Sequence, residues 1–217
     1  FICSSSIYNR RDSTMTSELR VSTIAAVGGT SAMTINSSGY ITTGQPVLAH
    51  LTMTSNQTNV TEQTWTKLQL DSAVIDTKSG FNNSNDTYVI PVAGNYRIYV
   101  QASLGVLGEA GSIRDSGICI TRTRSSTETQ LAFSHHRVRD TGNHDVDDMM
   151  EQATIIDQCQ AGDIITFYVY VNTVTGTAYD VFADVDSGNE NAHLNTGLPG
   201  SGSGEGRITY ATIERIL

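Results

Sequence analysis

The residues of this sequence best suited to chemistry are acidic side chains in a loop-like segment towards its C-terminal end. Asp184, Asp186 and Glu190 lie close together in the chain and offer the oxygen ligands that Ca²⁺ requires. The segment departs from an EF-hand loop, because Gly188 stands at the fifth position, where that loop needs an acid or an amide. We therefore prefer the interpretation that these acids face outward for solubility, and keep calcium at the three residues as the minority hypothesis.

Motifs for other chemistry are missing from the sequence. It contains no Gly-x-Ser-x-Gly nucleophile motif, no His-Glu-x-x-His zinc motif and no phosphate-cradling glycine loop after a strand. His135 and His136 are adjacent on a predicted strand, so their side chains point to opposite faces and cannot hold one metal together without distortion. A paired-carboxylate glycosidase stays open, because carboxylate separation is a three-dimensional property. We expect a protein that is not an enzyme.

Charge and composition exclude further classes. The net charge is −9, and residues 140–206 contain twelve acids with neither lysine nor arginine. Phosphate recognition needs a basic patch, so nucleic-acid binding is disfavoured. No apolar run approaches the roughly 20 residues of a membrane span, and we expect a soluble chain without membrane insertion. The three cysteines, Cys3, Cys119 and Cys159, are too few for a disulfide scaffold, so we expect free thiols.

The elements that position these residues are predicted to be β-strands. From residue 45 onward, short β-branched and aromatic runs alternate with turn clusters, and helical periodicity is almost absent, which favours an all-β sandwich or barrel. Residues 1–44 have few strands and many breaking residues, and cannot form a core alone. We therefore expect an N-terminal attachment arm over 1–44 and a head domain over 45–217.

The head is organised around one stretch, residues 85–100. Two strand-like runs flank a Pro-Val-Ala-Gly-Asn break, in which Pro91 and Gly94 favour a change of direction. In the second run Tyr96, Ile98 and Val100 alternate with polar or mixed residues, the period-2 pattern of a strand with two different environments. The stretch predicts a strand, a corner and a strand.

The same stretch carries a family resemblance. Trp65-Thr66-Lys67-Leu68, Phe81 and the run from Tyr88 to Ile98, with its Pro-Val-x-Gly-x-Tyr ending, occur in the order found in the globular heads of the complement subcomponent q and tumour-necrosis-factor superfamily. Gly162-Asp163 before an apolar strand is the second-best match, and the chain resembles these heads over roughly residues 45–217. The resemblance implies a two-sheet antiparallel jelly-roll sandwich that forms a homotrimer.

The predicted trimer contacts are aromatic and aliphatic. The run 164–171 is apolar on both faces, so one face should fill the sandwich while Tyr168 and Tyr170 need other cover. The resemblance implies a Tyr- and Phe-rich contact face, for which we select Tyr168, Tyr170, Tyr96 and Ile98. The alternative is that Tyr168 and Tyr170 are singly exposed tyrosines.

The N-terminal segment suggests where the protein acts. Its Met-x-Ser-Glu-Leu-Arg-Val and Thr-Ile-Asn-Ser-Ser-Gly-Tyr-Ile-Thr segments resemble ones that recur in bacteriophage fibre and virion-surface proteins. We expect a virion-surface protein, either a tail-fibre knob or a capsid decoration protein. Its partners would be other virion proteins through the arm, and a host surface glycan or protein through the head. The alternative is a secreted lectin-like recognition module of a cellular organism.

Overall fold

The computed structural model describes residues 23–25, 31–35, 38, 41–43, 46–105, 113–137, 148–174, 176, 178–183 and 208–216. The chain divides into two compact units, Phe1–Pro46 and Val47–Leu217, and the boundary predicted from the sequence lies beside this division. Among the described residues of the first unit, one antiparallel sheet has the order β1-β2-β3. Its strands are β1 (Thr23–Ala25), β2 (Ser31–Ile35) and β3 (Ile41–Thr43).

The second unit is a sandwich of two antiparallel sheets, as far as its described residues show. The seven-stranded sheet contains β4 (Leu48–Thr52), β5 (Gln57–Val60), β7 (Ser72–Asp76), β10 (Gly94–Gly105), β13 (Asp148–Cys159), β15 (Tyr179–Phe182) and β16 (Tyr210–Ile216). The six-stranded sheet contains β6 (Thr66–Lys67), β8 (Phe81–Asn82), β9 (Thr87–Val89), β11 (Ile113–Arg124), β12 (Thr127–Arg137) and β14 (Ile164–Thr173). No helix of the described residues is long and apolar enough to cross a membrane. The all-β jelly roll predicted from the sequence is confirmed.

Strand, corner and strand occur where the sequence predicts them. β9 ends at Val89, the corner holds Pro91, and β10 begins at Gly94. The Tyr96 hydroxyl donates to the carbonyl of Val92 at 2.6 Å, which ties the strand back to its own corner. β10 then pairs with β13 on one side and with β16 and β15 on the other, so it lies inside the seven-stranded sheet, next to the edge strand β13.

The core corrects one part of the predicted trimer face. Tyr96 and Ile98 are 0% exposed within a single protomer, where they pack between the two sheets. A partner chain cannot reach these side chains, so their assignment to the trimer contact is wrong. The alternation along β10 turns them inward and leaves Arg97 and Tyr99 on the outer face.

Charged side chains join the sheets near one edge of the sandwich. Arg122 of β11 pairs with Asp157 of β13. Arg124 makes a two-pronged contact with Asp163, Nε to Oδ1 at 2.8 Å and Nη2 to Oδ2 at 2.6 Å. These hydrogen bonds keep the pKa of Asp163 below its ordinary range. They also stabilise the turn between β13 and β14, which contains the Gly162-Asp163 pair that resembles the family pattern.

The described cysteines are free and buried, as the sequence predicted. Burial, together with the nearby carboxylates of Asp157 and Asp163, raises the pKa of Cys159 to about 11. Burial also raises the pKa of Cys119. Both thiols are therefore protonated at neutral pH and behave as small packing residues.

Candidate functional site

The outer face of the six-stranded sheet carries the tyrosines predicted from the sequence. Tyr168 and Tyr170 lie on β14 and are half-buried, while their neighbours Phe167 and Val169 point into the core. In register across the sheet, Tyr170 lies opposite Gly117 of β11, and Gly117 lies opposite His135 of β12. The tyrosine stripe exists, but its rings are partly covered by side chains of the same protomer.

Trp65 provides the first of these covers. The two residues of β6 pair with β14, which places Trp65 beside Tyr170 with ring centroids 5.4 Å apart and planes tilted by 38°. A Cβ atom on Gly117 would lie 3.0 Å from Cη2 of Trp65, so the indole can lie over the sheet because Gly117 has no side chain. Trp65 remains 43% exposed.

Two rows of residues cross the outer face of this sheet, from β14 through β11 to β12. The first row contains Tyr170, Gly117 and His135, and the second row lies next to it. Tyr168 is opposite Cys119 of β11, and Cys119 is opposite Phe133 of β12. Phe133 is 56% exposed. Burial, followed by a hydrogen bond to Glu128, raises the pKa of Tyr168. The second row therefore contains one well exposed ring, Phe133, and one half-buried ring, Tyr168.

Polar side chains border the aromatic rows on one side. Asp115 lies opposite Asn172 and Arg137. Its Oδ2 accepts a hydrogen bond from Nδ2 of Asn172 at 2.9 Å, and its Oδ1 lies 3.4 Å from Nε of Arg137 and 3.8 Å from Nε2 of His135. One mostly buried carboxylate, 14% exposed, therefore orients three side chains that carry hydrogen-bonding groups. Sequence reasoning missed this group, because its members are brought together only by the register of three strands.

The outer face of the seven-stranded sheet carries a different aromatic cluster. Tyr210 lies between Tyr99, with ring centroids 5.7 Å apart, and His50, at 5.5 Å with edge-to-face geometry. The Tyr99 hydroxyl lies 2.8 Å from Oε1 of Gln101. Burial, aided by the hydrogen bond to Tyr210, raises the pKa of Tyr99 to about 12. The rings are half-buried within one protomer and form the middle of this face.

Exposed apolar side chains lie beside that cluster on the edge strand β13. Ile156 is 64% exposed and Met150 is 53% exposed. Ile156 lies opposite Arg97, which pairs with Glu214 in the next strand. The sequence carries a signal for this outer face, because the polar residues Arg97 and Gln101 flank Tyr99 in the alternation of β10.

His135 and His136 point to opposite faces, as the strand pattern predicted. His135 lies on the outer face near Asp115. Nδ1 of His136 lies 2.8 Å and 2.9 Å from the two carboxylate oxygens of the fully buried Glu151. Across the part of the chain that the structure describes, no group of three or more His, Cys, Asp or Glu side chains could hold a metal ion.

The calcium hypothesis concerns residues that the structure does not describe. Asp184, Asp186 and Glu190 all lie outside the described residues, so calcium binding there stays a prediction. The nearby Asp180 is described: it is 5% exposed, and its Oδ1 accepts a hydrogen bond from the backbone N–H of Asn59 at 2.7 Å. That carboxylate has a structural role in linking β15 to β5.

Comparisons with known proteins concern the fold. No protein-family profile and no curated protein sequence matches the chain. The Eiger TNF structure from S. frugiperda aligns with a TM-score of 0.53 at 11% identity, covering 80% of this chain and 94% of that one. Murine APRIL aligns with a TM-score of 0.50 at 13% identity, covering 79% and 100%. The globular domain of the zebrafish complement 1qA protein aligns at 0.44 and 10% identity, covering 80% and 97%. The first two likenesses establish that the second unit has the jelly-roll fold of these structures, and they carry no information about a virus particle.

Proposed function

We propose that this chain is a non-enzymatic recognition protein, that its second unit assembles as a homotrimer, and that its first unit attaches it to the surface of a virus particle. The observation that carries the assembly is the outer face of the seven-stranded sheet. There the half-buried cluster of Tyr99, Tyr210 and His50 lies beside an edge strand on which Ile156 and Met150 are more than half exposed.

A threefold ring needs two different surfaces on each protomer, because every copy contacts one neighbour with one surface and the other neighbour with another. An aromatic sheet face and an apolar edge strand supply such a pair. Burying apolar surface contributes about 25 cal/mol per Å², so a closed ring removes from water what the single protomer leaves exposed. The sequence-based hypothesis places the contact at Tyr168 and Tyr170 on the other sheet, and it remains the competing proposal.

Sedimentation velocity at low micromolar concentration tests the assembly. We expect the unmodified chain to sediment as a trimer, Ile156→Lys to dissociate it, and Phe133→Lys to leave it intact. Both side chains are more than half exposed within the protomer, so neither substitution should disturb the core. A trimer that is lost in Phe133→Lys and kept in Ile156→Lys would assign the contact to the Tyr168 and Tyr170 face. A monomeric unmodified chain would refute the trimer.

The virion-surface proposal is supported by the resemblance of the N-terminal segments to those of phage fibre and virion-surface proteins. The first unit has its own strands and compact contacts, which suits a separate attachment function. Particles assembled with the full chain should contain the protein, and those assembled with a chain lacking residues 1–44 should not, although that chain still folds. Occurrence in a cellular secretion and not in particles would favour the lectin-like alternative. The absence of hydrolase and phosphate-loop motifs from the sequence supports a non-enzymatic role.

A further inference from the structure

We infer that the outer face of the six-stranded sheet binds carbohydrate, with the apolar side of a pyranose ring lying on Trp65, Tyr170 and Phe133 and the sugar hydroxyls bonding to the neighbouring polar side chains. The inference concerns a surface of the single protomer, so it does not depend on the trimer. It names a ligand class for a face that the proposed assembly leaves open.

The aromatic part of this surface is built for contact with a flat ligand. Trp65 lies over Gly117 and against Tyr170, so two rings share one side of the surface with the indole 43% exposed. Phe133 lies one row further along, on β12, and is 56% exposed. Aromatic side chains offer a large contact area with little loss of conformational freedom, and the packing of Trp65 against Tyr170 reduces that loss further.

The polar part supplies what sugar hydroxyls need. A hydroxyl group both donates and accepts hydrogen bonds, so it is best matched by a mixed group of donors and acceptors. Asp115, whose side chain is 14% exposed, orients Asn172, Arg137 and His135. The guanidinium of Arg137 then offers donors and the amide oxygen of Asn172 offers an acceptor. The side chains of Arg137 and His135 are 73% and 41% exposed, so they can reach a ligand on the aromatic rows.

The charges around the rings argue for a small polar ligand over a protein. On one side of the two rows, Lys67 donates a hydrogen bond to the carbonyl of Asn85, and Glu128 is hydrogen-bonded to Tyr168. On the other side, Asp115 pairs with Arg137. A protein partner typically covers about 800 Å² on each side of an interface, which here would bury these charged groups at a cost in desolvation. A sugar ring is small enough to cover the aromatic side chains and bond to the polar side chains beside Asp115, while Lys67 and Glu128 stay in water.

Trp65 is also the reporter for the test, because it is the single tryptophan of the chain. The full chain would be titrated with neutral hexose and hexosamine oligomers and with oligosaccharides ending in sialic or uronic acids, while the tryptophan emission is followed. We expect a saturable blue shift or intensity change with at least one of these probes, and protection of Trp65 from acrylamide quenching by the same probe. No saturable response to any probe at millimolar concentration would overturn the inference.

Variants then locate the binding, measured by calorimetry so that loss of the fluorophore does not matter. Trp65→Ala and Phe133→Ala should each weaken the affinity at least tenfold, and Trp65→Phe, which keeps a ring, should weaken it less. Val74→Ala is the matched control, because Val74 is an apolar side chain of similar exposure, 47%, on β7 of the other sheet. Its affinity should equal that of the unmodified chain. Thermal melting of each variant verifies that it folds.

Two results would contradict the location. Affinity unchanged in both Trp65→Ala and Phe133→Ala would place the sugar elsewhere, and affinity lost equally in Val74→Ala would indicate non-specific adhesion. The sedimentation result separates this inference from the proposed function. If Phe133→Lys abolishes the trimer, the surface is occupied by a second copy of the chain, and the carbohydrate inference fails while the trimer stands. If the chain is monomeric yet binds sugar through Trp65, the inference stands without the trimer.

Discussion

Replacement of Glu151 should be the most informative single perturbation of the sandwich. Glu151 lies on β13, and its side chain is 0% exposed. Its carboxylate accepts hydrogen bonds from the hydroxyls of Ser116 on β11 and Ser134 on β12, and it contacts Nδ1 of His136 on β12 at 2.8 Å. One buried acid therefore links the edge strand of the seven-stranded sheet to two strands of the other sheet.

The magnitude follows from what each substitution leaves behind. In Glu151→Ala the buried hydroxyl of Ser116 loses its carboxylate acceptor and keeps only the weak acceptor Sδ of Met149, at 3.3 Å. A poorly satisfied buried polar group costs roughly 1–3 kcal/mol. The lost side-chain volume leaves a cavity, which lowers the free energy of unfolding further. The lost contact with His136 contributes little, because that side chain is 57% exposed. We expect a loss of about 3 kcal/mol in the free energy of unfolding. In Glu151→Gln the volume is kept and serine hydroxyls can reverse their roles, so we expect about 1–2 kcal/mol.

Urea unfolding followed by circular dichroism measures both values. All proteins must be compared at one protomer concentration, because assembly makes apparent stability depend on concentration. Gln130→Ala is the control, since Gln130 is an exposed polar residue of β12 that lies outside both the hydrogen bonds of Glu151 and the proposed trimer contact. The reasoning would be refuted by a Glu151→Ala variant within 0.5 kcal/mol of the unmodified chain, or by a Glu151→Gln variant as unstable as Glu151→Ala.

Two further predictions concern the turn between β13 and β14. Arg124 lowers the pKa of Asp163 below its ordinary value of about 3.9, so the folded state binds fewer protons than the unfolded state in this range. The ion pair is then complete above about pH 4 and is lost as the pH falls through the lowered pKa. Asp163→Asn should be less stable than the unmodified chain at pH 7, and the gap should close in unfolding measurements below pH 4; a gap independent of pH would contradict this. Gly162 has φ +89° and no atom within 4 Å of an added Cβ, so Gly162→Ala should lower the free energy of unfolding by about 1 kcal/mol from backbone strain alone, and an unchanged value would be incompatible with the left-handed turn.

Local chemistry explains which elements could be predicted. Pro91 and Gly94 act on the backbone within a few residues of themselves, and alternation along β10 reports only on two faces, so the strand and its corner follow from the sequence. Alternation alone does not show which of the two faces of β10 packs in the core; the polarity of the residues on each face does. Arg97 and Gln101 alternate with the inward residues and would have assigned Tyr96 and Ile98 to the core. The error came from treating aromatic content as a sign of the contact face, although the largest aromatic side chains of a sandwich also fill its interior.

Trp65 shows why the remaining surface could not be predicted. It meets Tyr170 because β6 pairs with β14 across about a hundred residues of chain, and it fits because Gly117, from a third strand, has no side chain. No local pattern contains that combination. The inference from an apolar stripe to an assembly face assumed that a second chain supplies the missing cover, but here the protomer covers part of Tyr170 itself. The surface that remains open is therefore smaller and more polar at its rim than the sequence suggested, which suits a small hydroxyl-rich ligand better than the flat interface of a trimer.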